Sequence, residues 1–244
     1  MVYFPVKEIV QTPKNIDLDY KEVSFQTKDG VDISGWYIPA GHEKGVVLFC
    51  HGNGGNISYS IEYVRILHAL NLSVLLFDYR GYGTSQGKPS EEGTYLDAEA
   101  AWDYLIRQGA SPEKIILYGQ SLGGAVAAEL ALRRNPSVLI IESSFTSVPD
   151  LGASLYPWLP VRMISKFRYS TKDKIGLIGC PKLIIHSTDD EIVPFQHGRI
   201  LYDKASQPKE FLQTRGGHND GLLLSGSAYR DGLKRFFEKY TYVR

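Results

Sequence analysis

The chain runs Ile115-Ile116-Leu117-Tyr118-Gly119-Gln120-Ser121-Leu122-Gly123 and continues into an alanine-rich segment that ends near Leu132. Four consecutive apolar residues predict a buried strand, and the alanines and leucines after Ser121 are strong helix formers. Residues 119–123 match the pattern G-x-S-x-G, in which a serine occupies a strained turn between a strand and a helix. The stretch therefore predicts a strand, a tight turn that carries Ser121, and a helix in direct succession.

A second match to the same pattern occurs at residues 83–87, centred on Ser85. It follows the loop residues 78–82 rather than a strand, and Lys88-Pro89 follows it instead of a helix. Because the turn needs a strand on one side and a helix on the other, Ser121 is the candidate nucleophile. Ser85 is predicted to lie in a glycine-rich loop near the site.

Outside this stretch, short β-branched runs alternate with segments of helical periodicity. The predicted strands are residues 21–28, 32–39, 46–50, 73–77, 114–118, 138–141, 182–186 and 209–214, with helices near 57–70, 90–105, 121–134, 196–206 and 222–240. The first two strands flank Asp29-Gly30, a strong hairpin signal. The fold class predicted is α/β, with a mostly parallel central sheet of about eight strands, helices on both faces and an N-terminal antiparallel hairpin.

The length of 244 residues fits one α/β domain that spans residues 1–244. A hydrophobic content of 43% with 22% charged residues is typical of a globular protein and excludes disordered, collagen-like and coiled-coil classes. Residues 143–180 are rich in proline and aromatic residues, and we expect them to form a short cap-like insertion with short helices.

Basic and acidic residues number 27 each, so the chain has no net charge with which to hold a phosphate backbone or an anionic membrane surface. Neither nucleic acid nor membrane is therefore a predicted partner, and oligomeric state stays open. The N-terminal residues lack the pattern of a signal peptide, and no long apolar run follows. The expected location is the cytoplasm.

The two cysteines, Cys50 and Cys180, lie at opposite ends of predicted strands, so we expect buried, reduced thiols rather than a disulfide. The sequence contains no H-E-x-x-H motif, no Cys/His cluster and no glycine-rich phosphate-binding motif after a strand. It predicts neither a metal site nor a cofactor.

A serine hydroxyl needs a general base, which is usually a histidine that a carboxylate orients. In the strand–turn–helix setting of Ser121, the acid and then the histidine follow the serine along the chain. Three histidines do so. His218 follows the last predicted strand and belongs at the sheet edge of Ser121, whereas His186 points into its own turn and His197 is expected on a surface helix. His218 is the candidate base.

Three carboxylates, Asp189, Asp190 and Glu191, follow the predicted strand 182–186 and offer partners for the histidine. Glu142, at the end of the preceding strand, is a fourth candidate. The spacing alone leaves the choice among them open.

A negative charge that develops on a substrate oxygen requires preorganised N–H donors. The N–H of Leu122, at the start of the predicted helix, is one candidate, and the helix N-terminus supports it. The N–H of Asn53, in the glycine-rich loop after residues 46–50, is the other. The alternative is that these glycines only form a turn.

Over residues 20–240 the chain resembles the α/β-hydrolase family. The matching motifs are His51-Gly52-Asn53-Gly54, Asp78-Tyr79-Arg80-Gly81-Tyr82-Gly83, Gly119-Gln120-Ser121-Leu122-Gly123, Asp189-Asp190-Glu191-Ile192-Val193-Pro194 and Gly217-His218. In relatives the acid precedes two residues and then Val-Pro or Ile-Pro, which implies Asp190 and leaves Asp189 and Glu191 in a solvated turn. Among family members, the chain is similar to small, nearly capless serine hydrolases that include protein depalmitoylases and microbial esterases.

The resemblance implies a serine hydrolase that cleaves carboxylic esters through an acyl-enzyme, with Ser121 as nucleophile, His218 as base and Asp190 as its orienting acid. The expected partner is a small-molecule ester. The depalmitoylases carry an N-terminal cysteine cluster for membrane attachment that this sequence lacks, which argues against membrane-bound acyl-proteins as substrates. An acyl-thioesterase and a catalytically silent binding protein on the same fold are the alternatives.

Apolar residues in the insertion are candidates for the wall of an acyl pocket, with core or surface packing as the other interpretation. They are Leu155, Tyr156, Trp158, Leu159 and Met163. Because the insertion is small, short to medium acyl chains are the expected substrates.

Overall fold

A computed structural model describes residues 2–241, and a central sheet organises the chain. The strands in chain order are β1 (Phe4–Pro5), β2 (Lys21–Gln26), β3 (Asp32–Ile38), β4 (Val46–Cys50), β5 (Gly54–Gly55), β6 (Ser73–Phe77), β7 (Ile115–Gln120), β8 (Val138–Glu142), β9 (Lys182–Ser187) and β10 (Lys209–Thr214). Eight of them form one sheet in the order β10-β9-β8-β7-β4-β6-β3-β2. β3 is antiparallel to both of its neighbours and the other pairs are parallel. This confirms the predicted sheet and its N-terminal hairpin.

Helices cover both faces of the sheet. In chain order they are α1 (Ile61–Ala69), α2 (Glu91–Arg107), α3 (Leu122–Arg133), α4 (Val148–Leu155), α5 (Val161–Ile164), α6 (Phe195–Lys204), α7 (Gly221–Leu224) and α8 (Gly226–Tyr240). Apolar side chains of α2, α3 and α6 share one core and those of α1 and α8 share the other. Along β4, Val46 and Leu48 point into the first core and Val47 and Phe49 into the second, because side chains alternate along a strand.

Several local features differ in detail from the sequence pattern. The C-terminal helical segment is broken at Ser225 into α7 and α8. The short parallel pair β1–β5 was not predicted, since two-residue strands carry no periodicity.

Other local features agree with the sequence analysis. The insertion contains α4 and α5, as its composition indicated. Cys50 and Cys180 are both buried free thiols.

The carboxyl ends of β4, β7, β9 and β10 lie at one edge of the sheet because these strands are parallel. The loops that leave this edge carry the candidate residues of the sequence analysis, which is where α/β folds place their sites. Within residues 2–241, no helix combines the length and the apolar character that a bilayer crossing requires.

Candidate active site

Ser121 lies on the turn between β7 and α3 in a backbone conformation of positive φ, with φ 53° and ψ −117°. Such a conformation is rare for a residue with a side chain and is a form of strain found at functional sites. A Cβ on Gly119 would lie 2.2 Å from the carbonyl oxygen of Gly123, and one on Gly123 would lie 2.0 Å from the carbonyl oxygen of Cys50. Both flanking positions therefore require glycine. The absence of side chains there lets β7 and α3 pack closely on either side of the serine.

His218 lies between Ser121 and Asp190 in the loop after β10. Its Nε2 is 3.0 Å from Ser121 Oγ, and its Nδ1 is 2.8 Å and 3.0 Å from the two carboxylate oxygens of Asp190. All three residues are buried. Because a neutral imidazole has one N–H, the Nδ1–H donates to Asp190 and Nε2 is left to accept the Ser121 hydroxyl proton.

Asp190 is fixed from the other side by its own loop. Its Oδ1 accepts the backbone N–H groups of Ile192 and Val193, at 3.0 Å and 2.7 Å. Burial alone would raise the pKa of Asp190, but the hydrogen bond and charge of His218, with these two N–H groups, hold that pKa below its usual range. The ionised carboxylate therefore favours the folded state at neutral pH, and this contribution is lost when the pH falls through the lowered pKa.

The two carboxylates beside Asp190 hold the histidine loop in place. Glu191 Oε2 accepts the backbone N–H of His218 at 3.0 Å, and Asp189 Oδ2 accepts that of Gly216 at 3.2 Å. Asp189 and Glu191 are both exposed in the turn after β9, which agrees with the solvated turn that we expected. The sequence could not reveal these bonds, because they join loops that follow different strands.

Glu142, the fourth carboxylate, is buried among tyrosines. Its side chain accepts hydrogen bonds from Tyr118, from Tyr229 at 2.6 Å and from Tyr63 at 3.3 Å. Burial raises the pKa of Glu142, and the three hydroxyl groups oppose that rise. The imidazole of His218 contacts Asp190 and not Glu142 by hydrogen bonding.

The two other histidines that follow Ser121 along the chain make structural contacts. His186 contacts the loop that carries Asp190, and His197 contacts the insertion. His186 Nε2 donates to the carbonyl of Val193 at 2.9 Å, which agrees with its expected place in its own turn. His197 lies on α6, a helix with an exposed face as expected, but its own side chain is buried: the residue is only 6% exposed, and its Nδ1 lies 3.0 Å from the Thr146 hydroxyl. Its helix, α6, turns this side chain towards the insertion. Burial lowers the pKa of both histidines.

The candidate N–H donors lie on the two loops nearest to the serine. Leu122 begins α3, and the N–H of a first helical residue has no partner within its helix. The N–H of Asn53 has no acceptor in the part of the chain that the structure describes. A Cβ on Gly52 would lie 3.5 Å from Ser121 Cβ, so the loop passes close beside the nucleophile. Neither N–H group therefore donates a backbone hydrogen bond among the described residues.

Residues 78–83 hold the loop that carries Asn53. The hydroxyl of Tyr79 donates to the carbonyl of His51 at 3.0 Å, and that of Tyr82 donates to the carbonyl of Asn53 at 2.8 Å. Ser85, at the centre of the second G-x-S-x-G match, donates through its hydroxyl to the carbonyl of Asp78 at 2.8 Å. Its hydroxyl is thus occupied by structural bonds.

A buried pair of titratable groups, His51 and Asp78, lies beneath this loop. His51 Nδ1 donates to the carbonyl of Gly52 at 2.7 Å, and Asp78 Oδ1 accepts the N–H of Ile57 at 2.9 Å. His51 Nε2 is 3.6 Å from Asp78 Oδ1, and within residues 2–241 neither Nε2 nor Asp78 Oδ2 has a hydrogen-bond partner. Burial lowers the pKa of His51 to about 4 and raises that of Asp78 to about 7.

We expect Asp78→Asn to gain stability relative to the wild type as the pH rises from about 4 to 7. Over this range the unfolded wild type loses the Asp78 proton and the folded protein keeps it, so the free energy of unfolding of the wild type falls by up to about 1.4 kcal/mol per pH unit. Asparagine keeps the acceptor for Ile57 and cannot ionise. Urea unfolding of both proteins at a series of pH values measures the difference in free energy of unfolding. A difference that stays constant with pH contradicts the raised pKa.

Tyr156, Trp158, Leu159 and Met163 are all exposed on the insertion. They do not form an enclosed wall in this structure, and their assignment to an acyl pocket stays a prediction. Among residues 2–241, no group of His, Cys, Asp and Glu side chains is arranged to hold a metal ion.

A strained serine at a strand-to-helix turn, followed along the chain by an acid and a histidine at the same sheet edge, defines the architecture of an α/β hydrolase. The family model described as alpha/beta hydrolase fold matches residues 45–168, and the chain belongs to this family.

Relatives cover most of the chain. It is 40% identical over 240 residues to an uncharacterised protein of Mycobacterium tuberculosis, across 97% of this chain and 85% of that protein. It is 37% identical over 201 residues to alpha/beta hydrolase domain-containing protein 17B of Homo sapiens, across 79% of this chain and 66% of that protein. The structure of an esterase from Pyrococcus furiosus superposes with a TM-score of 0.82 at 21% identity, covering 99% of this chain and 98% of that one, which shows a shared fold.

Proposed function

We propose that the protein is a serine hydrolase that cleaves carboxylic esters of short to medium acyl chains. The observation that carries this proposal is the continuous hydrogen-bond chain from Ser121 Oγ through His218 to Asp190, beside two unpaired N–H groups. A serine paired to a base that is itself oriented by a carboxylate is the arrangement that activates a hydroxyl nucleophile.

In the first half of the reaction, Ser121 Oγ attacks the ester carbonyl carbon and its proton passes to His218 Nε2. The N–H groups of Leu122 and Asn53 donate to the oxygen that becomes negative, where each donor is worth about 3 kcal/mol of barrier. The carbon–oxygen bond to the alcohol then breaks, and the alcohol leaves with the proton from Nε2. Asp190 stabilises the imidazolium without taking its proton.

In the second half, water attacks the acyl-enzyme. His218 Nε2 takes a proton from the water, and the new tetrahedral oxyanion meets the same two N–H groups. Collapse breaks the bond to Ser121 Oγ, which regains the proton, and the carboxylic acid leaves. The side chains of the described chain supply every proton transfer in this cycle.

A graded series of p-nitrophenyl esters from acetate to palmitate tests this proposal. We expect the highest kcat/KM between butyrate and octanoate, with about a tenfold or greater fall at palmitate, because the insertion is too small to cover a long chain. A matched butyrylcholine and butyrylthiocholine pair compares ester with thioester cleavage. Failure of the folded protein to hydrolyse any ester contradicts the proposal, and a clear preference for the thioester selects the acyl-thioesterase.

A further inference from the structure

The insertion exposes an unusual number of large apolar side chains. We call the following residues the cap patch: Leu155 (40% exposed), Tyr156 (49%), Trp158 (74%), Leu159 (45%), Met163 (87%) and Ile164 (63%). They lie within ten consecutive positions at the end of α4, along α5 and between the two helices. Single exposed apolar residues are ordinary, but a contiguous group of this kind marks a surface that contacts something else.

Basic side chains border the cap patch. Residues 150–174 contain five basic and two acidic residues, although the whole chain is neutral. Asp150 pairs with Lys172 at 2.5 Å and lies 3.4 Å from Arg162, and Lys174 pairs with Glu129 at 2.5 Å. Among the ion pairs of residues 2–241, none involves the side chain of Lys166 or Arg168, although Glu91 accepts the backbone N–H of Arg168 at 2.7 Å. The whole chain is neutral only because acidic residues elsewhere balance this local excess of basic residues.

Three of these cations also line a cleft beside the cap patch. Arg162, Arg168 and Lys172 face a cavity of about 610 Å³, together with Asp150 and Asp173. Arg162 belongs to α5, next to Met163, so the apolar surface and the cationic cleft are adjacent along the same helix. An apolar surface that contains Trp and Tyr, bordered by Lys and Arg, matches the interface of a bilayer whose headgroups are anionic.

From this juxtaposition we infer that the cap patch docks on the surface of an anionic phospholipid bilayer. Trp158, Met163 and Ile164 enter the boundary between headgroups and acyl chains, while Lys166 and Arg168 remain at the level of the lipid phosphates. The insertion begins directly after β8, and the hydroxyl of Ser144 donates to the carbonyl of Ser121 at 2.7 Å. The insertion that carries the cap patch therefore starts at the edge of the sheet that carries the candidate active site. Docking does not depend on the proposed hydrolysis.

The tryptophans of the chain provide a direct readout. Of the three, Trp36 and Trp102 are buried, at 6% and 3% exposed, whereas Trp158 is 74% exposed. We expect vesicles of equal parts phosphatidylcholine and phosphatidylglycerol to shift the emission to the blue, and brominated acyl chains to quench it. Vesicles of phosphatidylcholine alone should produce a much smaller change. Trp158→Phe should abolish the spectral change and still sediment with the anionic vesicles, because phenylalanine keeps an aromatic anchor.

Variants separate the contribution of the basic side chains to vesicle binding from that of the apolar side chains. Lys166→Gln with Arg168→Gln should weaken binding to the anionic vesicles by about 10- to 30-fold at low salt, since each charge is lost close to the surface. Arg230→Gln with Lys234→Gln, on α8 at the other face of the sheet, is the matched charge control and should bind as the wild type does. Met163→Ser should weaken binding more than Leu132→Ser, which alters an exposed leucine of α3.

Ser121→Ala should bind vesicles as tightly as the wild type, which distinguishes docking from substrate binding at the active site. An unchanged Trp158 emission with anionic vesicles overturns the inference, as does equal binding to neutral and anionic vesicles. Loss of vesicle binding in Ser121→Ala also overturns it. Light scattering after gel filtration tests a second copy of this chain as the occupant, and a stable dimer that buries Trp158 without lipid excludes a bilayer.

Discussion

Ser121→Ala is expected to lower the kcat of the protein on a p-nitrophenyl ester by about 10³- to 10⁶-fold while the fold remains intact. The hydroxyl oxygen that this change removes is the atom 3.0 Å from His218 Nε2. The N–H groups of Leu122 and Asn53 remain and account for residual activity over water. Steady-state kinetics measures the loss. A fluorophosphonate probe, which reacts with an activated serine, should label the wild type and not the variant.

Ser85→Ala is the matched control, because Ser85 lies at the centre of the same pentapeptide pattern. Its hydroxyl accepts the N–H of Ser34 at 2.9 Å and donates to the carbonyl of Asp78 at 2.8 Å. Removing it leaves buried groups unpaired, so we expect a loss of about 1–3 kcal/mol in the free energy of unfolding with labelling retained. Labelling of folded Ser121→Ala, or its absence in folded Ser85→Ala, contradicts the assignment of the nucleophile.

Asp190→Asn is expected to lower kcat by about 10⁴-fold, the second-largest effect. The new amide NH₂ donates to His218 Nδ1, so the imidazole proton moves to Nε2. Nε2 then faces Ser121 as a donor and no longer accepts the hydroxyl proton. Because the two side chains have the same shape, the hydrogen bonds from Ile192 and Val193 can be kept, and near-ultraviolet circular dichroism should show an unchanged fold.

Two controls ask which carboxylate orients the histidine. Asp189→Asn alters the exposed carboxylate next to Asp190 in the chain, and Glu142→Gln alters the carboxylate that Tyr118, Tyr229 and Tyr63 surround. We expect both to change kcat far less than Asp190→Asn does, and Glu142→Gln to act mainly on the melting temperature. A loss of kcat in Glu142→Gln that exceeds the loss in Asp190→Asn identifies Glu142 as the orienting acid instead.

Tertiary contacts also give roles to residues that carry no local signal. Glu191 and Asp189 hold the loop of His218, and Tyr79 and Tyr82 hold the loop of Asn53. The segment 78–83 is visible in the sequence as a family motif, but its hydrogen bonds to residues 51–53 depend on the order of β4 and β6 in the sheet. A motif can thus be located without its structural role being known.

The sequence by itself determined the eight-stranded sheet, the antiparallel hairpin and the turn that carries Ser121. These depend on periodicity along a strand or helix and on the close approach of backbone at Gly119 and Gly123, which are local properties of the chain. It also favoured His218 among the three histidines that follow Ser121, and the family resemblance implied Asp190 among four carboxylates.

Only the tertiary structure decided which of these groups meet. His218 lies between Ser121 and Asp190, His197 is buried against Thr146, and Glu142 is enclosed by tyrosines. The apolar residues of the cap patch are exposed, whereas Phe145, Tyr169 and Ile175 of the same insertion are buried, a difference that composition could not reveal. The physical reason is that burial and hydrogen bonding between loops depend on how separate strands are placed side by side, and residues far apart in sequence carry no periodic signal of that placement.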